Sequence, residues 1–180
     1  MLFQTGYVTI KDVDDFIYTF DYPNREVKTA FLKHLFSSYV DEPGTYSRIL
    51  RLAAHLRREA LDDFFAEMTV IFASIPYALE SKRDEAYFHT IFYLAVSASG
   101  ADACSEVLTC EGRIDLLVEF PETVFVFEFK CNQNADAAIQ QIRQKDYAAP
   151  HRASGKKIVL LGIDFDTETR NLSEWKWEVG

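Results

Sequence analysis

One run of seven residues, Val124 to Lys130, most constrains how this chain can fold. Its aromatic and β-branched residues predict a buried strand, yet Glu128 and Lys130 stand two positions apart within it. Because side chains alternate along a strand, both charged groups must leave the same face. Burying two ionisable groups is costly unless they pair with each other or hold a metal ion. The run therefore predicts a sheet strand that carries a charged cluster on one face.

The preceding strand, predicted over Arg113 to Phe120, is joined to this run by a turn that contains Pro121. Proline cannot take a positive φ, so a two-residue hairpin turn that begins with Pro121 is disfavoured. A three-residue loop would need Thr123 in the left-handed region, which a β-branched residue resists. A four-residue loop, residues 120–123, with proline at its second position fits better.

The four-residue loop sets the register of the two strands. It pairs Glu119 with Val124 and so places Asp115 opposite Glu128, with Cβ atoms roughly 4.5–5.5 Å apart. Two carboxylates this close repel, and one should have a raised pKa unless a cation lies between them. A hard divalent cation such as Mg²⁺ suits one or two carboxylates completed by water and phosphate oxygens. The alternative is a buried ion-pair cluster with no chemistry.

The first half of the chain is predicted to be mainly helical. Residues 3–10 and 16–20 read as two short strands around a polar turn at Lys11 to Asp15. Apolar stripes then predict helices over residues 27–35, 49–56 and 61–71, and the third ends near Pro76. A fourth helix is predicted to begin at Ser81, an N-cap with Asp84 three positions on, and to close within residues 97–101.

The second half changes to strand periodicity. Strands are predicted at residues 106–109, 113–120, 124–130, 157–165 and 175–179, and a helix over residues 135–147 with Asn132 or Asn134 as its cap. The order helix–three strands–helix–strand predicts an α+β (α/β-like) core with a mixed central sheet, preceded by a helical N-terminal segment. The expected division is a strand-rich connector at 1–24, a helical segment at 25–79 and the core at 80–180.

Composition and charge bear on the class of partner. At 180 residues and 48% hydrophobic, the chain can bury a substantial core. Its net charge of -9 argues against a nucleic-acid binder, since these usually present a basic surface. Between Lys130 and Lys157, however, six basic residues outnumber the two acidic ones, Asp136 and Asp146. A solvated helix face is the simpler reading of that excess.

The cysteines and the N-terminal residues indicate where in the cell the protein is expected. Cys104, Cys110 and Cys131 are odd in number and form no CxxC pair, which predicts reduced thiols of a cytoplasmic protein. Cys131 is interpreted as a small buried hydrophobe. The first twenty residues carry three aspartates and no long apolar run, so neither a signal peptide nor a membrane span is expected.

Three further polar residues lie on the helices that should flank the strand pair. Glu85 is one turn before Phe88 on the same stripe and should face the sheet. An acid at a helix N-terminus is also common without any function. Gln141 follows on the later helix, with Lys145 one turn on, and a boundary glutamine is its simpler reading.

Several stretches together resemble a known family. They are residues 85–94, Glu111 to Asp115, Phe127 to Lys130, residues 138–147 and residues 159–165. In this order they resemble the PD-(D/E)XK nuclease superfamily, and more closely the nuclease-like domain at the C-terminus of bacterial AAA-ATPase-like proteins. Residues 2–10 and 22–27 resemble the segment that joins the ATPase part to that domain. The proline that names the superfamily is absent, since Ile114 precedes Asp115.

The resemblance implies a restriction-endonuclease-like fold and a Mg²⁺- or Mn²⁺-dependent site. It implies Asp115, Glu128 and the Phe129 carbonyl as metal ligands, with Glu85 as a further acidic candidate, and Lys130 as the catalytic lysine. By the same resemblance Gln141 matches the polar residue of the helix after the third strand. Arg113 and Lys145 are candidates for phosphate contact, although Arg113 could instead form a salt bridge with Glu111 or Glu119.

Two functions from different classes follow. The first is metal-dependent hydrolysis of phosphodiester bonds in nucleic acid, most readily DNA, as the nuclease part of a system with an ATPase domain in cis. The second is a catalytically silent module of the same fold that binds nucleic acid or a partner protein and couples to an ATPase, because fold does not dictate function. A toxin or defence effector has no specific support in the sequence.

Overall fold

A computed structural model describes residues 2–37, 40, 44–76, 84–109 and 111–180, and a five-stranded sheet forms its centre. The strands lie in the order β3-β4-β5-β6-β7, where β5 and β6 pair in parallel and the other neighbours pair antiparallel. Their bounds are β3 (Asp102–Leu108), β4 (Arg113–Glu119), β5 (Thr123–Cys131), β6 (Lys157–Asp166) and β7 (Asn171–Val179). The sheet is mixed, as predicted.

Helices cover both faces of this sheet. They are α1 (Arg25–Ser37), α2 (Thr45–Arg57), α3 (Leu61–Ala73), α4 (Glu85–Ala98), α5 (Ala135–Gln144) and the short α6 (Ala149–Arg152). One apolar cluster joins side chains of α1–α4 to one sheet face, with Phe64 and Phe92 packed around Phe127. On the other face Ile139 and Ile142 of α5 pack in a second cluster. The α+β class and the predicted restriction-endonuclease-like order of elements are confirmed.

The helical segment before the core packs as part of it. Leu32, Leu52 and Phe65, from α1, α2 and α3, belong to the same buried cluster as the sheet residues Leu116 and Phe125. The predicted boundary between residues 79 and 80 lies outside the described residues. Within the described ranges, no helix is long and apolar enough to cross a bilayer.

The N-terminal strands differ from the prediction. β1 (Thr9–Asp14) runs through the residues that were expected to form a polar turn, and pairs antiparallel with β2 (Ile17–Asp21). The turn lies instead at residues 15–16, where Asp15 has a φ of 50°. Every residue of both strands is exposed, so the polar residues of β1 lose no hydration in a strand. The predicted strand over residues 3–10 was wrong except at Thr9 and Ile10, because backbone hydrogen bonds from Gly6 to Phe3 and from Tyr7 to Leu2 close a turn before β1.

The ends of the other helices and strands differ less from the predicted ones. α4 begins at Glu85, because the Asp84 side chain accepts a hydrogen bond from the Tyr87 amide and caps the helix there. The predicted cap, Ser81, lies outside the described residues. Of the two candidate caps of α5, Asn134 is the one whose side chain accepts from the Ala137 amide. The edge strands β3 and β7 begin about four residues earlier than predicted, since pairing with β4 and β6 recruits exposed polar residues.

Candidate metal-dependent active site

The turn between β4 and β5 has the predicted register. Glu119 pairs with Val124 and Leu116 with Phe127, and the Phe120 amide donates to the Thr123 carbonyl at 2.8 Å. Next to Leu116, the Asp115 side chain also joins β4 to β5, because its Oδ2 accepts a hydrogen bond from the Phe129 amide at 2.9 Å. The hairpin thus fixes the Asp115 carboxylate against the backbone beside Glu128.

Glu128 and Lys130 leave one face of β5, as the period of two requires. Glu128 is 1% exposed, and the Lys130 Nζ donates to its Oε1 at 2.8 Å and to the Phe129 carbonyl at 3.1 Å. The lysine side chain keeps 13% of its surface accessible. A buried acid, a nearly buried lysine and the backbone carbonyl between them therefore form one unit at the end of the strand.

One oxygen of this unit has no donor among the described residues. With Glu128 ionised, its buried Oε2 accepts no hydrogen bond, whereas the protonated carboxyl group can donate to the Asp115 side chain. Burial, followed by the charge of Asp115, raises the pKa of Glu128 to about 7, although Lys130 acts in the opposite direction. The raised pKa that the sequence predicted for one of two adjacent carboxylates is confirmed. A cation beside Oε2 would offset both effects by stabilising the ionised carboxylate.

The donor set suits a hard divalent cation. Two carboxylates, Asp115 and Glu128, and the Phe129 carbonyl supply oxygen atoms only, which Mg²⁺ and Mn²⁺ prefer. Among the described residues, no group of three or more His, Cys, Asp or Glu side chains is placed to hold a metal. Water and substrate oxygens would then complete the coordination, which is how Mg²⁺ is commonly bound.

Two comparisons relate this chain to known proteins. The family model of the PD-(D/E)XK nuclease superfamily matches residues 83–175, the segment from the start of α4 to β7. The chain belongs to the PD-(D/E)XK nuclease superfamily. It is also similar to an uncharacterized protein in the vnfD 5' region of Azotobacter chroococcum mcd 1, with 35% identity over 186 residues. That match covers 96% of this chain but 36% of the relative, so the chain spans about a third of the relative's length.

The backbone of this PD-(D/E)XK site is distorted where Asp115 lies. The pairing of β3 with β4 passes from Ser105↔Leu116 to Val107↔Ile114, and Glu106 between them has a φ of 55°.

A glycine flanks the site on the other neighbour of β5. Glu128 lies beside Gly162 of β6. A Cβ atom at Gly162 would come within 2.4 Å of the Ala135 carbonyl, so only glycine lets α5 approach the sheet here.

His89 is a residue of the site that the sequence did not single out. Its Nε2 lies 2.7 Å from the Asp115 carbonyl, and because a carbonyl only accepts, this nitrogen carries the proton. The ring also packs edge-on against Phe129, with 5.1 Å between centroids. His89 therefore ties α4 to both strands of the site. Its signal in the sequence was weak, because a single histidine on an apolar helix face usually fills a core position.

Asp164 is a second residue that was not predicted. It is buried on β6, opposite Lys130 of the neighbouring strand β5. Unlike Glu128, it accepts hydrogen bonds on both carboxylate oxygens. Oδ1 accepts from the Gln133 amide at 2.9 Å, and Oδ2 accepts from the Ser173 hydroxyl at 2.6 Å. These bonds fasten the turn after β5 to β7.

Glu85 does not adopt the predicted inward orientation. It is exposed, because α4 begins at this residue and its first turn extends beyond the sheet. It still lies at the edge of the site, since its charge is one cause that, after burial, raises the pKa of the Cys131 thiol to about 11. A raised pKa disfavours the reactive thiolate form of Cys131, which is half-buried rather than fully buried as the sequence predicted. Cys104 is also free, and Cys110 lies outside the described residues.

The remaining polar residues predicted for the site do not contact the Asp115–Glu128 pair directly. Gln141 is half-buried on α5 and Lys145 is exposed, and within the described ranges neither side chain forms a hydrogen bond or ion pair with Asp115, Glu128 or Lys130. Arg113 forms an ion pair at 3.1 Å with Glu106, rather than with the Glu111 or Glu119 considered from the sequence. Its role as a phosphate contact stays a prediction.

The basic excess between Lys130 and Lys157 is largely neutralised. Besides Lys130, four of its members form ion pairs with carboxylates: Arg143 with Glu178, Arg152 with Asp146, Lys156 with Glu119 and Lys157 with Glu59. In the part of the chain that the structure describes, Lys145 is the member without such a partner. The excess in sequence therefore does not become a free basic surface.

Proposed function

We propose that this chain is a divalent-metal-dependent phosphodiesterase that cleaves nucleic acid, with DNA as the expected substrate. The observation that carries the proposal is the Asp115–Glu128 carboxylate pair, with one buried oxygen that no donor among the described residues reaches, beside the Lys130 ammonium. Membership of the PD-(D/E)XK superfamily supports it.

The carboxylate pair and Lys130 have different proposed roles. Asp115 and Glu128, with the Phe129 carbonyl, would hold Mg²⁺ or Mn²⁺. When bound, such an ion lowers the pKa of water and neutralises charge that develops on phosphate. Lys130 is held by two acceptors at 2.8 and 3.1 Å, so its ammonium group is oriented in advance toward the phosphate or the attacking water.

A cleavage assay tests this function. Supercoiled plasmid and single-stranded DNA are incubated with the protein and Mg²⁺ or Mn²⁺, with EDTA in parallel. We expect cutting that EDTA and Lys130→Ala both abolish. Lys156→Ala is the matched control, because Lys156 also forms a 2.9 Å ion pair with a glutamate but at the opposite end of β4. Equal cutting by Lys130→Ala would contradict the role of Lys130.

A catalytically silent module is the second candidate. The neutralised basic segment favours the form of it that binds a partner protein, since few free cations remain there for a nucleic-acid backbone. Thermal melting with millimolar Mn²⁺ separates the two. An active site should raise the melting temperature of the parent but not of Asp115→Asn, whereas a silent module should show no rise in either.

The wider setting is also a proposal. We infer that longer family members carry an ATPase domain in cis with the counterpart of this chain, a context that the sequence resemblance implies. The relative's extra length leaves room for such a domain, as the match spans 36% of it. A cytoplasmic location rests on the cysteine pattern.

A further inference from the structure

β7 forms one edge of the central sheet, and the outer row of its backbone groups is unpaired. It pairs with β6 over residues 174–179 without a bulge. The Gly180 amide donates to the Ile158 carbonyl at 3.0 Å, and this pair fixes the alternation of the antiparallel ladder. The amides and carbonyls that point away from β6 belong to Trp175, Trp177 and Val179. Among the described residues, these groups have no hydrogen-bond partner.

The opposite edge of the sheet, β3, is interrupted. Its ladder to β4 skips Glu106, whose φ is 55°, and a distortion of this kind breaks the outer row of backbone groups. Between Glu174 and Val179, β7 has no proline and no residue with a positive φ. A regular, unpaired edge of this kind is a template for an added strand.

A groove runs along the edge of β7. Its cavity of about 440 Å³ is lined by residues 175–178 of β7, by Asp62 of α3 on one side and by Gln140 and Arg143 of α5 on the other. Because the lining comes from both faces of the sheet, the groove lies over the edge itself. An incoming strand therefore has access to the unpaired backbone groups.

The tryptophans of β7 show which side chains such a strand would meet. Trp175 stacks on Phe65 of α3, with 5.0 Å between ring centroids. Trp177, two residues on, leaves the same face of the sheet but is 51% exposed. It borders a cavity of about 270 Å³ at the start of α3, which Asp62 and Asp63 also line. An exposed indole beside carboxylates is a binding position for a cation.

Charge differs between the two faces that meet at this edge. On the α5 face the cations of the groove are paired with carboxylates: Lys176 with Asp136, and Arg143 with Glu178. On the α3 face Glu59 is paired with Lys157. Among the described residues, Asp62 has no cationic partner, and Asp63 has His55 at 3.9 Å but no lysine or arginine. The unneutralised charge is therefore negative, and it lies on the same face as the exposed indole.

We propose that the β7 edge binds an extended segment of a separate protein, which adds a strand to the sheet and places lysine or arginine side chains against Trp177, Asp62 and Asp63. A second copy of this chain is disfavoured, since its own Asp62 and Asp63 would come to lie beside these. Nucleic acid has the wrong charge and lacks a ladder of backbone amides. The surface does not depend on the nuclease chemistry, because Glu128 lies two strands away, on the sheet face that α5 covers.

Peptide binding tests the proposal. The probe is an eight-residue peptide of alternating arginine and valine, with both ends blocked. Because both tryptophans of the chain lie on β7, their fluorescence reports binding at this edge, and we expect a saturable change with one site per chain. Two further peptides carry N-methyl groups on either the arginine or the valine amides. One of them should bind at least tenfold more weakly, because alternate amides face β7, and the other should stay within about threefold of the parent peptide.

Variants of the protein test the charge. Asp62→Asn combined with Asp63→Asn should weaken peptide binding about fivefold, since two exposed attractions are lost. Asp12→Asn combined with Asp14→Asn is the matched control, because it removes the same charge from the exposed strand β1 and should leave the affinity unchanged.

Amide hydrogen exchange, resolved by NMR, tests the added strand. At saturating peptide, the outward amides of Trp175, Trp177 and Val179 should exchange at least tenfold more slowly than in the protein alone, because they gain hydrogen bonds to the peptide. The amides of Lys176 and Glu178 already point toward β6, so their exchange should change less.

Three results would overturn the proposal. The first is the absence of saturable binding of the unmodified peptide. The second is equal affinity for the two methylated peptides, or unchanged exchange of the outward amides, which would mean that the peptide is held by charge alone. The third is a dimer of this chain whose mass falls to that of a monomer in Trp177→Ser, which would make a second copy the occupant. Size-exclusion chromatography with light scattering measures the third result.

Discussion

Glu128 and Asp164 are two buried carboxylates on adjacent strands, and they differ in how their oxygens are satisfied. Asp164 accepts hydrogen bonds on both oxygens, from the Gln133 amide and the Ser173 hydroxyl. Glu128 has Lys130 on one oxygen and no donor among the described residues on the other, and Asp115 lies nearby as a like charge that can accept a hydrogen bond only when Glu128 is protonated. A satisfied buried acid holds a structure together, whereas an unsatisfied one beside a like charge is arranged for a cation.

Substitutions of Glu128 and Asp164 should differ most in their effect on catalysis. We expect Glu128→Gln to lower the rate of DNA cleavage by a factor on the order of 10³, since a cation ligand and the partner of Lys130 are lost together. Asp164→Asn should stay within about tenfold of the parent. Initial rates on supercoiled plasmid at saturating Mn²⁺ measure both. Comparable losses in the two variants would remove the distinction.

The pH dependence of stability should separate them next. Between about pH 4.5 and 7 the folded protein holds a proton on Glu128 that the unfolded chain has released. The free energy of unfolding in EDTA should therefore fall as pH rises through this window, by up to about 3 kcal/mol at 1.36 kcal/mol per pH unit. Urea unfolding at pH 5 and pH 8 checks this against Glu128→Gln, which lacks the group. Parallel curves for the two proteins would show that Glu128 is not the cause.

Removing a satisfied acid should cost stability without touching the metal site. Asp164→Asn leaves one acceptor oxygen for two donors, so we expect unfolding to become easier by roughly 1–3 kcal/mol. Thermal melting in EDTA, with Asp136→Asn as a surface control on α5, measures the difference. An unchanged melting temperature would mean that the Gln133 and Ser173 bonds do not hold the turn after β5.

His89 should have the smallest effect, because it acts on Asp115 only through a backbone carbonyl. We expect His89→Leu to lower kcat about tenfold with KM unchanged, and His89→Gln, which keeps a side-chain N–H donor, to recover most of that loss. A lower melting temperature with unaltered kcat in His89→Leu would instead assign this histidine to packing alone.

Sequence reasoning reached the Asp115–Glu128–Lys130 cluster because two local rules determine it. Strand alternation puts Glu128 and Lys130 on one face, and the four-residue loop with Pro121 sets the register of β4 on β5. The long apolar helices and central strands were predictable for the same reason, as their burial imposes a strong periodicity.

The rest depended on contacts between distant residues. The bonds of Asp164 to Gln133 and Ser173 join three separate segments, and no local pattern announces them. The hairpin was misplaced because a ribbon with no buried face carries no burial periodicity. Glu85 was oriented wrongly because the helix begins at that residue, a detail decided by which of several polar residues forms the cap.

Calorimetric titration of the metal-free protein with Mn²⁺ tests the central contrast most directly. We predict one binding site in the parent protein, the same site in Asp164→Asn, and no saturable binding in Glu128→Gln. Equal Mn²⁺ binding by Glu128→Gln and the parent would contradict the account, because the unpartnered oxygen of Glu128 would then not be a metal ligand.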